Sequence, residues 1–115
     1  LIIEDNEICQ QIYKFTFNQL KCPFTLAGTA KEALCLVNQH RYHCILTDWG
    51  LPDCDDESLV KAMRTTSLNK ATPIFVISAQ VSPYIIRVCQ ELKLQGVYSK
   101  PLTLTEIKAL VTPYL

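Results

Sequence analysis

The chain opens on three aliphatic residues, Leu1, Ile2 and Ile3, and then turns abruptly polar at Glu4, Asp5 and Asn6. A short apolar run without polar alternation predicts a strand covered on both faces, with acids at its carboxyl end. From Glu7 the rhythm changes. Ile8, Ile12 and Phe15 recur at spacings of four and three, with Gln10, Gln11 and Lys14 between them. That is the apolar stripe of an amphipathic helix, with Asn6 as its N-cap. Cys22-Pro23 ends the helix, and Phe24 to Ala27 reads as a second strand. Ala30, Ala33, Leu34 and Val37 mark a second helix that stops before Asn38.

The same alternation continues. Cys44 to Thr47 is a third strand followed by an acid, Asp48, and by the turn residues Gly50-Leu51-Pro52-Asp53. Helix three runs from Asp56 through Leu59, Val60 and Met63, and Pro73 to Ile77 is the most strand-like segment, followed by Ser78. Pro83 suits the first turn of helix four, which carries Ile85, Ile86, Val88, Cys89 and Leu92. Gly96 to Ser99 is a brief fifth strand closed by Lys100-Pro101, and Leu104, Ile107, Leu110 and Val111 define the last helix. Five strand–helix units in 115 residues, with apolar strands, predict a three-layer, doubly wound α/β domain around a parallel sheet.

Composition narrows the function. Lys+Arg and Asp+Glu number 11 each, so the formal charge is zero and no basic excess exists to neutralise nucleic-acid phosphates or an anionic membrane surface. No apolar run reaches the roughly 18–20 residues of a bilayer span, and Glu4 and Asp5 stand where a signal peptide would be basic. The chain opens without Met directly in a core strand, so residues 1–115 are expected to be a single domain excised from a longer protein. The six cysteines include no C-x-x-C pair and read as small buried hydrophobes in a reducing cytoplasm. His40 and His43 read as loop residues. Asp53, Asp55, Asp56 and Glu57 fail the calcium-loop spacing and read as a solvated turn and helix-start acids. For Tyr84, Ile85 and Ile86, core packing of at least two is the expectation, with a partner surface as the alternative.

Ligands of a parallel open sheet bind beyond the carboxyl ends of its strands. The predicted strand ends carry Glu4 and Asp5, Asp48, Ser78 and Lys100. Three carboxylates in one crevice need a cation, and all-oxygen ligation suits Mg²⁺, which commonly completes its shell with a phosphate. A hydroxyl and an ammonium are then placed to hold the remaining phosphoryl oxygens. Each residue taken singly has a plainer use, as a helix cap, a turn former or a surface charge. Those uses do not explain why all five fall at strand ends. The spacing points to phosphoryl transfer onto an aspartate.

Four motifs carry a family resemblance: Ile-Ile-Glu-Asp-Asn at 2–6, Asp-Trp-Gly-Leu-Pro-Asp at 48–53, Val-Ile-Ser-Ala at 76–79 and Tyr-Ser-Lys-Pro-Leu at 98–102. In this order they resemble a bacterial response-regulator receiver domain, and their wording is most similar to the receivers of hybrid sensor histidine kinases. The resemblance implies a flavodoxin-like (βα)5 fold with a five-stranded parallel sheet. It implies that Asp48 is the phosphoacceptor, that Asp5 binds Mg²⁺ directly and Glu4 through a water, and that Gly50 offers its backbone carbonyl to the metal. Ser78 and Lys100 would hold the phosphoryl group, and Pro101 would fix the turn that aims Lys100, through a cis peptide bond. The implied partner is a histidine kinase or a histidine phosphotransfer domain, with no direct nucleic-acid or membrane contact by this domain. The implied location is cytoplasmic, whether or not the parent chain is anchored in the inner membrane.

Two positions depart from the family pattern. Asp56 stands where the family usually has Gly, so the loop after strand three is expected to bend differently. The family's aromatic switch position is Val97 here, and Tyr98 faces the opposite side of the strand. The expectation is a small surface change on phosphorylation, with relay of the phosphoryl group mattering more than allosteric output. The domain's own chemistry would then be self-phosphotransfer and autodephosphorylation. The alternatives are the receiver of a stand-alone or DNA-binding regulator, or a degenerate receiver serving only as an interaction module. Gly50, two places after Asp48, disfavours a phosphatase with a second catalytic Asp there, and Glu4-Asp5-Asn6 would repel a flavin phosphate.

Overall fold

Ile2 and Ile3 point to opposite sides of their strand, and both are buried. That two-sidedness holds through the three central strands of the computed structural model, which describes residues 1–100 and 102–114, while the two edge strands are only partly buried. The strands are β1 (Ile2–Ile3), β2 (Leu26–Ala27), β3 (Ile45–Asp48), β4 (Ile74–Ser78) and β5 (Gly96–Ser99). All pair in parallel, in the order β2-β1-β3-β4-β5. Between and after them lie α1 (Glu7–Gln19), α2 (Ala30–Gln39), α3 (Asp56–Thr65), α4 (Pro83–Glu91) and α5 (Leu104–Val111), closed by a 3-10 turn over Thr112–Tyr114. The expected three-layer (βα)5 architecture is the observed one.

The layers follow from side-chain alternation. Ile3, Ile45 and Ile74 face Ala30, Ala33 and Val37 of α2, Leu59, Val60 and Met63 of α3, and Val88 of α4. Ile2, Leu46, Phe75 and Ile77 face Tyr13 and Phe17 of α1 and Ile107, Leu110 and Val111 of α5. Every helix starts at an oxygen-bearing cap, since Asn6, Thr29, Asp55, Ser82 and Thr103 each accept a backbone N–H of the first turn. Thr103 and Glu106 complete a reciprocal capping box.

Several expectations need correction. In α1 the Ile8, Ile12 and Phe15 stripe faces outward, with exposures of 73%, 49% and 61%. The buried line is Tyr13, Thr16 and Phe17, with Cys9 and Leu20 half-buried. It has the same three-and-four spacing but is rotated by about 100°, one residue's advance. Both stripes satisfy helical periodicity, and the larger aromatic pair fills the space against the sheet. Only Cys89 among the cysteines is buried; Cys35 is exposed and Cys9, Cys22, Cys44 and Cys54 are half-buried, all as free thiols. On α4 only Ile85 of the three residues considered is buried, while Tyr84 and Ile86 are exposed. Helix α2 continues through Asn38 and Gln39, whose side chains bond back to Leu34 and Cys35 one turn earlier. Strands β3 and β4 each extend one residue beyond the predicted end, taking in Asp48 and Ser78, because ladder pairing continues to those residues. Strand β2 is shorter than predicted, confined to Leu26 and Ala27. The turn expected at Pro101 lies outside the described residues.

Candidate functional site

The strand order reverses between β1 and β3, and there the chain leaves a crevice at the carboxyl ends. Glu4 and Asp5 leave the end of β1, and Asp48 is the last residue of β3. One carboxylate oxygen from each of the three lies within 4.8 Å of the other two. Lys100 reaches the same point from β5. Its Nζ is 2.8 Å from Glu4 Oε1 and 2.8 Å from Asp48 Oδ1. The backbone N–H of Lys100 donates to the Ser78 carbonyl at 2.8 Å, which extends the β4–β5 pairing and fixes where the lysine starts.

Glu4 and Asp5 are adjacent in sequence but differ in setting. Glu4 is only 1% exposed. Its Oε2 accepts the Asn6 N–H at 3.2 Å, and its backbone carbonyl accepts from Gln10 Nε2 at 2.6 Å. Glu4 is therefore anchored on all sides, whereas Asp5 is exposed. Burial pushes the Asp48 carboxyl up to about 7; the hydrogen bond from Lys100 works against that rise, and the Glu4 charge adds to it. For Lys100, burial opposes the charge, but hydrogen bonds to Asp48 and Glu4 outweigh it and hold the ammonium above its ordinary range. Three carboxylates face one ammonium, so the fully ionised pocket is short of positive charge. Its clustered oxygen donors fit a hard divalent cation such as Mg²⁺.

The loop after Asp48 is held by side chains that read as solvated in the sequence. Asp53 accepts the Ala30 and Lys31 N–H groups at 3.0 and 3.1 Å, tying the loop to the start of α2. Asp55 caps α3 through Ser58. Asp56 Oδ1 accepts the N–H groups of Gly50 at 2.8 Å and Leu51 at 3.2 Å. Gly50 itself is exposed, with φ of 122°, a conformation that side chains rarely adopt. The signal for this arrangement was in the sequence: an Asp at 56 and a Gly at 50 in the same loop. Its meaning depends on how the loop closes in space.

Ser78 is buried at the end of β4, but its hydroxyl donates to the Gln80 carbonyl at 2.8 Å and accepts the Gln80 N–H at 3.2 Å. It lies at the crevice by position, with its hydrogen bonds directed into its own turn. Tyr98 packs on Phe75, 6.0 Å between ring centroids, while Val97 packs with Val76, Ile85 and Cys89. The two therefore face opposite sides of β5, as the alternation requires. Trp49, next to Asp48, meets Tyr84 of α4 edge-on at 6.5 Å, and the Tyr84 hydroxyl donates to Glu57 of α3.

The sequence profile of the response regulator receiver domain matches residues 1–112. The chain belongs to that family. It is a two-component receiver domain, and a histidine kinase is among its relatives. It is 32% identical over 110 residues to the sensor histidine kinase AruS of Pseudomonas aeruginosa, covering 94% of this chain but only 11% of that kinase. It is also 22% identical to the probable chemotaxis protein CheY of Rhizobium etli, covering 96% of this chain and 87% of that one. Among solved structures, Vibrio cholerae CheY4 superposes with a TM-score of 0.90 at 23% identity, covering 99% of this chain and 95% of the other. The receiver domain of the Pseudomonas aeruginosa sensor histidine kinase PA1611, solved with a magnesium ion coordinated in its active-site cleft, gives 0.87 at 22%, with coverages of 98% and 93%. Among the described residues of this receiver, no helix is long and apolar enough to cross a membrane.

Proposed function

We propose that this receiver accepts a phosphoryl group on Asp48 from a phosphohistidine, within a phosphorelay run by a hybrid histidine kinase. The observation that carries the reading is the convergence of Glu4, Asp5, Asp48 and Lys100 at the β1–β3 reversal. The Asp48 carboxylate oxygen attacks phosphorus, the phosphorus–nitrogen bond of the donor breaks, and the departing imidazole takes up a proton. Lys100, already beside Asp48, stays with the phosphoryl oxygens as an ion pair, and Ser78 turns its hydroxyl from Gln80 toward them. Asp5 and Asp48 would hold Mg²⁺ with the Gly50 carbonyl, and Glu4 would act through a coordinated water while its side chain anchors Lys100. Bound Mg²⁺ supplies positive charge against the phosphoryl oxygens.

The likeness to AruS supports a hybrid-kinase setting, working in the cytoplasm with a histidine kinase or histidine phosphotransfer domain as partner. So does α1, whose exposed Ile8, Ile12 and Phe15 begin just after Asp5 and offer an apolar face to a donor beside the acceptor. The test is intact-mass measurement after incubation with Mg²⁺ and a small acyl phosphate. One phosphoryl group should be gained by the parent and none by Asp48→Asn. Equal gain in both, or none in either, overturns the reading.

A further inference from the structure

We propose that Asp56 is a positioning residue for the cation site, acting through the Gly50–Leu51 peptide. This rests on reading Glu4, Asp5 and Asp48 as an Mg²⁺ site that uses the Gly50 carbonyl. Asp56 is not itself among the converging carboxylates. Its Oδ1 instead receives two successive backbone N–H groups, from Gly50 at 2.8 Å and Leu51 at 3.2 Å. Successive amides converging on one anion form a small nest, here filled from within the chain.

The consequence follows from peptide geometry. The N–H of Leu51 and the carbonyl of Gly50 are opposite edges of one planar trans peptide. Holding the first against Asp56 fixes the direction of the second. The restraint is needed because position 50 is a glycine at φ 122°, and glycine has the widest backbone freedom of any residue. A Cβ at Gly50 would meet nothing within 4 Å, so the glycine serves conformation and not a close approach. Asp56 is a rigid place from which to hold the loop. It opens α3, the next residues of that helix include buried Leu59, Val60 and Met63, and Asp55 caps the helix. The far side of the same loop is tied to α2 through Asp53. A role as a helix-start acid alone would not call for two amides reaching back six and five residues to the same oxygen.

The experiment is Mg²⁺ titration by calorimetry on the parent, Asp56→Ala, Asp56→Asn and Asp5→Asn, together with amide hydrogen exchange at Gly50 and Leu51. Residues that orient metal ligands typically change affinity by about 10-fold or more when removed, so Asp56→Ala should lose about 10-fold. Asn keeps an oxygen that accepts the same two N–H groups, so Asp56→Asn should stay within about threefold of the parent. Gly50 and Leu51 exchange should quicken in the Ala variant and stay slow in the Asn variant. Equal losses in Ala and Asn would mean that charge and not positioning matters, and that overturns the inference. Unchanged affinity in Ala, or slow exchange in both variants, also overturns it. If Asp56→Ala does not fold, Asp56→Ser, which is too short to span both amides, takes its place with the same expectations. Absence of Mg²⁺ binding by the parent, or full binding by Asp5→Asn, would instead bring down the cation reading and this inference with it.

Discussion

Replacing Lys100 with Met keeps much of the side-chain volume and removes the ammonium that bonds to two buried carboxylates. The Nζ lies 2.8 Å from Glu4 and 2.8 Å from Asp48, with those side chains 1% and 8% exposed. At an effective dielectric of about 20, each contact is worth roughly 6 kcal/mol before desolvation is subtracted. Desolvation offsets most of that, and breaking a buried pair from one side typically costs about 3–5 kcal/mol. The lower figure, about 3 kcal/mol, is appropriate because a proton can replace the lost charge. At about 4 °C per kcal/mol for a chain of this length, the melting temperature should fall by about 12 °C.

The dependence on pH distinguishes this account from lost packing. A carboxyl whose folded pKa is raised holds a proton in the native state after the unfolded chain has released it. Its contribution to stability therefore declines as pH rises from the ordinary carboxylate range to the raised value. In the parent that window closes at about 7 for Asp48. In Lys100→Met the value rises further, so the deficit should be smallest near about pH 5 and should grow from about pH 7 to about pH 9. Urea unfolding of parent and variant across this range, without and with Mg²⁺, measures it. Added Mg²⁺ should restore the variant more than it stabilises the parent at the higher pH. An equal deficit at both ends of the range would refute the electrostatic argument.

Four further outcomes are expected. Mg²⁺ affinity should fall as pH drops below about 7, where Asp48 holds its proton, and calorimetry in buffers of different ionisation heat should show proton release on binding; flat behaviour in both measurements counts against Asp48 as a ligand. Ile12→Lys, on the outward face of α1, should change stability by no more than about 0.5 kcal/mol while slowing transfer from a histidine phosphotransfer domain, and unchanged transfer would remove α1 from the partner surface. Asn69→Ala should cost about 3 kcal/mol in urea unfolding, because the buried amide donates to the Val37 and His40 carbonyls at 2.7 Å each and accepts from Tyr42 N–H at 2.9 Å and Thr72 Oγ1 at 3.0 Å. A beryllofluoride phosphate mimic should move backbone NMR shifts around Asp48 far more than across residues 83–111, since Val97 carries no ring to relocate; shifts of equal size in both regions would show another element in that role.

The order of elements, the parallel sheet and the set of polar residues at the strand ends were all legible in the amino-acid sequence. These depend on short-range patterns: apolar runs, caps and turn residues within a few positions of one another. Asn6 was legible as the cap of α1 and Pro83 as the first turn of α4, because each acts on residues within one turn of itself. Which apolar stripe of α1 turns inward was not legible, because Ile8-Ile12-Phe15 and Tyr13-Phe17 both obey helical spacing. Only the volume left against Leu46, Phe75 and Ile77 of the sheet decides between them. The same holds for the acids after Asp48. Whether Asp53 and Asp56 meet solvent or backbone amides depends on where α2 and the Gly50 turn stand in space. The meeting of Lys100 with Glu4, 96 residues apart, is likewise a product of strand order, since only the assembled sheet brings those two ends to within 2.8 Å.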